Sequence, residues 1–250
     1  MMQPSMHIII PARYDSTRLP GKLMMMIDGV PVIERVYRQA LKANADSIVI
    51  ATDSEIIAEH MHQVGADVVM TSQTHRSGTE RIAEVVNQGR YASDDILVNV
   101  QGDEPLIDPR LIRQVAESLY QDNGVSMATL CWPIESLEQF HNPNTVKVVL
   151  NAHQHAMYFS RSPIPFNRDH PDLFQQSFRH VGLYAYRALF FQEMSQWSSC
   201  DLEAVEGLEQ LRVLWMGHSI RVEQACVKPL QDVNTAEDLE QIRQQSSALF

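Results

Sequence analysis

Residues 8–22 read IIIPARYDSTRLPGK, an apolar run that passes directly into a loop rich in cations. The run is apolar at consecutive positions, which predicts a strand over 7–12 that is buried on both faces. Strands of this kind are typical of parallel sheets covered by helices. Ligands bind such sheets just beyond the carboxyl ends of the strands, so the loop after residue 12 is a candidate binding site.

The alternation of strand and helix patterns continues through the first half of the chain. It predicts a doubly wound, mostly parallel sheet, and the second half predicts a mixed arrangement with more strands. The predicted strands are 7–12, 47–52, 67–71, 95–100, 126–134, 145–151, 156–161, 180–187 and 219–225. The predicted helices are 30–44, 54–65, 77–89, 108–122, 202–217 and 235–245.

The bulk composition excludes several classes of protein. The chain has 250 residues and a formal net charge of −11, which argues against a nucleic-acid binder with a basic face. Its three cysteines are odd in number and far apart, so neither a disulfide framework nor a Cys-x-x-Cys metal site is predicted. We find neither a signal peptide nor an apolar run long enough to span a membrane. The expected location is the cytoplasm, with no membrane partner.

Three cations follow the first strand within ten positions: Arg13, Arg18 and Lys22. Pro11 and Pro20 stiffen the loop that carries them. Arginine grips phosphate oxygens with two parallel hydrogen bonds and lysine adds a point charge, so the loop predicts a cradle for a polyphosphate. The alternative is a solvated basic loop without a ligand. The loop matches neither the dinucleotide fingerprint nor the Walker P-loop.

Two adjacent carboxylates, Asp103 and Glu104, follow the predicted strand 95–100 in the string QGDEP. They should lie at the same sheet edge as the basic loop. Mg²⁺ takes one or two protein carboxylates and completes its shell with phosphate oxygens and water, so the string predicts a magnesium site. The alternative is an ordinary polar turn.

Several long strings together resemble the 3-deoxy-manno-octulosonate (KDO) cytidylyltransferase family, in order and over essentially the whole chain. They include IPARYDSTRLPGK (10–22), SGTERIAE (77–84), NVQGDEP (99–105), NPNTVKVV (142–149), YFSRSPIPFNRD (158–169), RHVGLYAYR (179–187) and LEQLRVLW (208–215). The resemblance implies a fold like that of nucleotide-diphospho-sugar transferases. It also implies that CTP and KDO are converted into CMP-KDO and pyrophosphate for lipopolysaccharide synthesis, in a homodimer that uses Mg²⁺.

The resemblance also assigns roles to residues. The whole chain would be one domain, with about 1–125 binding the nucleotide and about 126–250 binding the sugar and the second subunit. The residues implied in CTP binding are Arg13, Arg18, Lys22, Ser77, Gly78 and Gln101. Those implied in catalysis are Arg13, Lys22 and Asp103, with Asp103 binding Mg²⁺. Those implied in sugar binding are Arg161, Arg168, His180, Tyr184, Glu209 and Gln210.

The match departs from the family near the C-terminus, where the usual VDTPEDL reads VNTAEDL (233–239). Asn234 stands where the family has a second metal-binding aspartate, and asparagine offers a neutral carbonyl oxygen instead of a carboxylate. Three alternatives stay open. Asn234 still ligates, Asp232 compensates for it, or the enzyme is slow, inactive or altered in its choice of sugar. Other acid sugars, namely 8-amino-KDO or a sialic acid, and a binding role without catalysis are the competing functions.

Overall fold

The computed structural model describes residues 4–15, 19–230 and 232–249, with side chains described as far as residue 244. The predicted phosphate residue Arg18 lies outside the described residues. The strands are β1 (Met6–Ala12), β2 (Met26–Ile27), β3 (Val30–Pro31), β4 (Ser47–Thr52), β5 (Asp67–Met70), β6 (Ile96–Asn99), β7 (Met127–Pro133), β8 (Lys147–Leu150), β9 (Ala156–Ser160), β10 (Phe178–Arg187) and β11 (Arg221–Gln224). The helices are α1 (Val32–Leu41), α2 (Glu55–Gln63), α3 (Gly78–Val86), α4 (Pro109–Gln121), α5 (Leu137–His141), α6 (Ala188–Met194), α7 (Asp201–Glu206), α8 (Gln210–Trp215) and α9 (Ala236–Leu249).

The main sheet runs in the order β11-β7-β10-β6-β1-β4-β5. The first-half strands β6, β1, β4 and β5 pair in parallel, while β10 is antiparallel to both of its neighbours. Strands β8 and β9 extend the sheet from β10 as an antiparallel pair. The predicted fold class is therefore confirmed: a largely parallel first half joined to a mixed second half.

Burial on both faces of β1 follows from its continuous apolar run. Ile8 and Ile10 pack into the core on one side of the sheet, and Ile9 packs into the core on the other. All three side chains are fully buried. Helices cover both faces of the sheet, and β1 and β6 are parallel neighbours. The loops that follow these two strands therefore lie together at the carboxyl ends of the strands, where ligand-binding residues can meet. No helix of the described part of the chain combines the length and apolarity needed to cross a bilayer.

One predicted helix is wrong. The segment 202–217 forms two short helices, α7 and α8, instead of a single one. Gly207 ends α7 in the left-handed conformation, with a φ of 62°. Glycine adopts this conformation without the steric cost that other residues have, and it turns the chain at a helix end. The turn brings Glu209 and Gln210 to the start of α8, next to the shared sheet edge.

Candidate active site

Beyond the carboxyl ends of β1 and β6 lies a cavity of about 340 Å³, here called the cationic cavity. Its walls come from the loop after β1, the start of α3 and the loop after β6. The lining residues are Pro11, Arg13, Lys22, Leu23, Arg76, Ser77, Gly78, Arg81, Gln101, Gly102, Asp103 and Glu209. Four cations face two carboxylates in this set, so the cavity favours an anion even though the whole chain is acidic.

Lys22 joins three segments at the floor of the cationic cavity. Gly21 opens the 3-10 turn at Lys22–Met24 with a φ of 68°, and its N–H donates to the carbonyl of Tyr14. The Lys22 ammonium donates to Asp103 Oδ2 and to the carbonyl of Val233, the latter at 2.9 Å. Val233 N–H in turn donates to the carbonyl of Asp103 at 2.9 Å. The predicted meeting of the basic loop with the QGDEP string is thus present, and the segment around Val233 is docked on both.

Two cations of the cavity were not singled out from the sequence. Arg81 is 2% exposed and donates to Asp53 Oδ2 at 2.7 Å and to the Thr71 hydroxyl. Because its charge is paired with Asp53, Arg81 mainly fixes the loop before α3. Arg76 precedes the helix directly and lines the cavity. In the sequence, its position directly before the string SGTERIAE is the signal that could have identified Arg76 as a cavity residue.

Ser77 caps α3 and so brings the helix start to the cavity. Its hydroxyl accepts the N–H of Glu80 at 3.2 Å, as expected of an N-cap serine. The unpaired N–H groups of a helix start favour negative charge, so Ser77 and Gly78 add to the preference of this cavity for an anion. Gln101 also lines this cavity.

Gly102 allows the QGDEP loop to approach β1. A Cβ at this position would lie 2.9 Å from the carbonyl oxygen of Pro11 and 3.3 Å from Ile33 Cδ1. We expect Gly102→Ala to lower the free energy of unfolding by about 1–3 kcal/mol, since a backbone atom must shift to make room. Denaturant unfolding measures this change. Gly182→Ala is the matched control, because a Cβ there meets nothing within 4 Å. Equal stability of the two variants would contradict the close approach.

A second cavity of about 250 Å³, the tyrosine cavity, adjoins the cationic one. Its lining is contributed by both halves of the chain, namely Gly78, Thr79, Asn99, Gln101, Met127, Tyr184, Tyr186, Met194, Gly207, Leu208, Glu209, Gln210, Arg212 and Val213. Burial raises the pKa of Tyr184 above its ordinary value, and the nearby Glu209 raises it further. Burial likewise raises the pKa of Tyr186. Both phenols are therefore neutral hydrogen-bonding groups at physiological pH.

Gly78, Gln101 and Glu209 line both cavities and form the boundary between them. The Thr79 hydroxyl donates to Glu209 Oε2 at 2.6 Å, which links the start of α3 to the start of α8. The boundary is thus built from one residue after β6, the N-terminus of α3 and the turn before α8. Molecules held in the two cavities would meet at these three residues.

Three further residues of the predicted sugar set lie elsewhere. The ring of the half-buried His180 has its centroid 5.3 Å from that of Tyr184, but His180 lines a third cavity and not the tyrosine cavity. Burial lowers the pKa of His180 to about 3, so its imidazole is neutral. Arg168 has 89% of its side chain exposed and pairs with Asp169. Arg161 directs its guanidinium to main-chain carbonyls. Of the predicted sugar set, Tyr184, Glu209 and Gln210 line the tyrosine cavity.

Two further carboxylates, Glu104 and Asp232, line the third cavity and interact electrostatically with Asp103. Burial, Asp232 and Asp103 raise the pKa of Glu104 well above its ordinary value. Burial and Asp103 raise the pKa of Asp232 to about 7. The described residues contain no group of three acidic, histidine or cysteine side chains close enough to hold a metal alone. The Asp103 carboxylate, with Asp232 nearby, fits Mg²⁺, because this ion needs only one or two protein carboxylates beside phosphate and water oxygens.

Asn234 directly follows Val233, whose carbonyl accepts a hydrogen bond from the Lys22 ammonium. Its N–H donates to Asp238 Oδ2 at 3.0 Å, and the Thr235 N–H donates to the same oxygen at 2.8 Å. These contacts begin α9. The neutral Asn234 and the carboxylate of Asp232 thus flank Val233, whose main chain is hydrogen-bonded to Asp103 and Lys22.

A cytidylyltransferase family model matches residues 7–220 of the chain. A 3-deoxy-manno-octulosonate cytidylyltransferase of Legionella pneumophila is 58% identical over 238 residues, which are 95% of each chain. A protein of the same name from Coxiella burnetii is 47% identical, over 94% of this chain and 97% of that one. The structure of a CMP:2-keto-3-deoxy-manno-octonic acid synthetase complexed with CTP superposes with a TM-score of 0.92, at 38% identity, covering 98% of this chain and 100% of that one.

Proposed function

Because the chain belongs to the 3-deoxy-manno-octulosonate cytidylyltransferase family of cytidylyltransferases, we propose that it transfers CMP from CTP to the anomeric hydroxyl of KDO. The products are CMP-KDO and pyrophosphate. The names of the relatives and the CTP bound to the similar structure support both substrates. The observation that carries the proposal is the wall shared by a cationic cavity and a neutral, hydroxyl-bearing one.

A shared wall suits a reaction between two bound molecules. Transfer of a nucleotidyl group needs the attacking hydroxyl in line with the bond that breaks, so the two substrates must meet at the α-phosphorus. We place CTP in the cationic cavity and KDO in the tyrosine cavity. Gln101 and Glu209 line both cavities, so they would hold the two substrates against each other.

The phosphates are assigned to the cations of the first half. Arg13, Arg18, Lys22 and Arg76 would hold the triphosphate, and the start of α3 at Ser77 and Gly78 would donate main-chain hydrogen bonds to it. In the reaction the sugar oxygen bonds to the α-phosphorus, and the bond from that phosphorus to the pyrophosphate oxygen breaks. Pyrophosphate keeps the electron pair, and Arg13 and Lys22 stabilise its growing negative charge. The hydroxyl proton passes to solvent.

Asp103 is the residue we assign to Mg²⁺, with Asp232 or Asn234 as a second ligand. When bound, Mg²⁺ supplies positive charge that neutralises the phosphate oxygens and orients them for attack. Lys22 holds the Asp103 carboxylate in place through their ion pair.

The sugar is assigned to the second half. Tyr184, Glu209 and Gln210 offer one neutral hydroxyl, one carboxylate and one amide, which together suit a polyhydroxylated substrate. Arg168 is our candidate for the sugar carboxylate, on the exposed segment between β9 and β10. We also propose that the first half binds the nucleotide and the second half the sugar, that the protein is a cytoplasmic homodimer, and that its product serves lipopolysaccharide synthesis.

The direct test is release of pyrophosphate from CTP plus KDO in the presence of Mg²⁺. We expect release with KDO to exceed release with 8-amino-KDO or a sialic acid in parallel assays. Binding of CTP without release from any of the sugars would contradict the proposal. It would favour the alternative that Asn234 has made the chain a binding protein.

Asn234→Asp tests the departure from the family pattern. A second carboxylate near Asp103 adds one negative charge, so we expect half-saturation by Mg²⁺ at a concentration about three- to tenfold lower. A Mg²⁺ titration of pyrophosphate release measures this shift. Asn123→Asp adds the same charge after α4, at the opposite edge of the sheet, and should leave the titration unchanged. An unaltered titration in Asn234→Asp would favour Asp232 as the second ligand.

A further inference from the structure

Lys147 opens β8 in a fully buried setting. Its ammonium donates to three main-chain carbonyls, those of Asn142 at 3.0 Å, Thr145 at 2.6 Å and Arg161 at 2.6 Å. Within the described ranges no carboxylate lies within ion-pair distance of it. An ammonium has three donors, so this buried charge is fully hydrogen-bonded by main chain alone.

Arg161, at the end of β9, is the second cation of this group. Its Nε donates to the carbonyl of Glu206 at 2.6 Å, and its two terminal nitrogens donate to the carbonyls of Pro143 at 2.9 Å and Gly207 at 3.4 Å. The main-chain N–H of Arg161 also donates to Glu206 Oε2 at 2.9 Å. Ser160 donates its hydroxyl to the other oxygen of Glu206 at 2.6 Å.

These contacts converge on the turn between α7 and α8. Glu206 and Gly207 are the residues at which the chain leaves α7, and Gly207 has a positive φ that helix continuation does not allow. Gly207, Leu208, Glu209 and Gln210 are consecutive and all line the tyrosine cavity. The turn that Arg161 holds is therefore one wall of the cavity assigned above to the sugar.

Burying a charged group costs free energy unless protein hydrogen bonds replace those it made with water. A buried lysine such as Lys147 therefore calls for a structural reason. Here one ammonium gathers carbonyls from two segments, 142–145 and the residue after β9, and an apolar side chain would remove this link between them. Its third acceptor is the carbonyl of Arg161 itself. Lys147 therefore fixes the main chain from which the Arg161 guanidinium reaches the turn.

We propose that Lys147 and Arg161 form a clamp, acting through main-chain carbonyls, that positions the wall 207–210 of the tyrosine cavity. Both are positioning residues, and Arg161 acts through this wall without touching the sugar. The inference deepens the proposed function, on which it rests. It assigns a role to Lys147, and it changes the role expected of Arg161 from its sequence context.

Two variants test the clamp. Lys147→Met keeps the length of the side chain but removes its hydrogen-bond donors. Arg161→Lys keeps the positive charge but replaces the planar guanidinium, with its several N–H donors, by a single ammonium. We expect each to raise the KM for KDO about tenfold or more, with the KM for CTP within about two-fold of the parent value. Lys42→Met is the control, since Lys42 is exposed and its ammonium donates to Gln39 Oε1 at 3.0 Å. If Arg161 instead binds the sugar directly and there is no clamp, the KM for KDO should rise in Arg161→Lys and stay unchanged in Lys147→Met. That result would overturn the proposal.

Hydrogen exchange supplies a readout that needs no substrate. We expect amide exchange at 207–211 to accelerate at least tenfold in both variants, while exchange at 79–86 in α3 stays as in the parent. Unchanged exchange at 207–211 would overturn the clamp. Failure of the parent to release pyrophosphate with KDO would contradict the proposed function, and exchange would still decide for or against the clamp. If Lys147→Met does not fold, Arg161→Lys carries the exchange measurement.

Discussion

Asp103→Asn is expected to reduce kcat/KM for pyrophosphate release by about 1,000-fold, which corresponds to about 4 kcal/mol of transition-state stabilisation. The change keeps the size of the side chain and removes its charge. Asp103 accepts from the Lys22 ammonium and is the carboxylate we assign to Mg²⁺. A neutral amide both weakens the hold on a divalent cation and leaves Lys22 without its ionic partner. Initial rates measured over a range of Mg²⁺ concentrations check the expectation.

Asp108→Asn is the matched control in the same loop. Asp108 caps α4 by accepting the N–H of Arg110 at 2.9 Å, and asparagine caps helices equally well. Its activity should stay within about two-fold of the parent, because its contacts lie on α4. If Asp103→Asn kept more than a tenth of the parental activity at saturating Mg²⁺, the assignment of Asp103 as the primary ligand would be wrong.

The meeting of segments that forms the cationic cavity could be predicted because its determinants are local in sequence. Continuous apolar residues in β1 indicate burial on both faces, and the loops after β1 and β6 must then meet at one edge of the sheet. Ser77, followed by Glu80, is a local signal for a helix start, and the structure has the cap there. Lys22 and Asp103 are 81 residues apart, yet their contact follows from the parallel pairing of β1 with β6.

The tyrosine cavity could not be predicted in the same way because its determinants are contacts between distant segments. The pattern of 202–217 is helical throughout, and a single glycine inside it is a weak signal. The break at Gly207 is stabilised by Arg161, 46 residues earlier in the chain. Nothing in the string YFSR distinguishes an arginine that contacts a ligand from one that contacts carbonyls. The ring centroids of His180 and Tyr184 lie 5.3 Å apart, yet the two residues line different cavities.

Lys22→Ala is expected to raise the KM for CTP about tenfold and to lower kcat about tenfold or more. Two losses combine in this variant. The triphosphate loses a cation that we assign both to its binding and to stabilising the pyrophosphate that leaves, and the carbonyl of Val233 loses the Lys22 donor. The first loss affects both kinetic constants. The second frees the segment that carries Asp232 and Asn234. Steady-state kinetics with CTP varied at saturating KDO separate the two constants.

Lys42→Ala provides the control, since it removes an exposed lysine whose contact is with Gln39. A further measurement separates the cradle from a purely structural role. In the parent without nucleotide, the Lys22 ammonium lies against the carboxylate that we assign to the metal. Removing a positive charge from that position should tighten the binding of Mn²⁺, used as a probe for Mg²⁺, while turnover falls. Because a collapsed site would lose metal affinity and turnover together, opposite changes in the two would show that the site stays intact and that turnover falls because the charge of Lys22 is lost. Kinetics identical to the parent would eliminate the cradle.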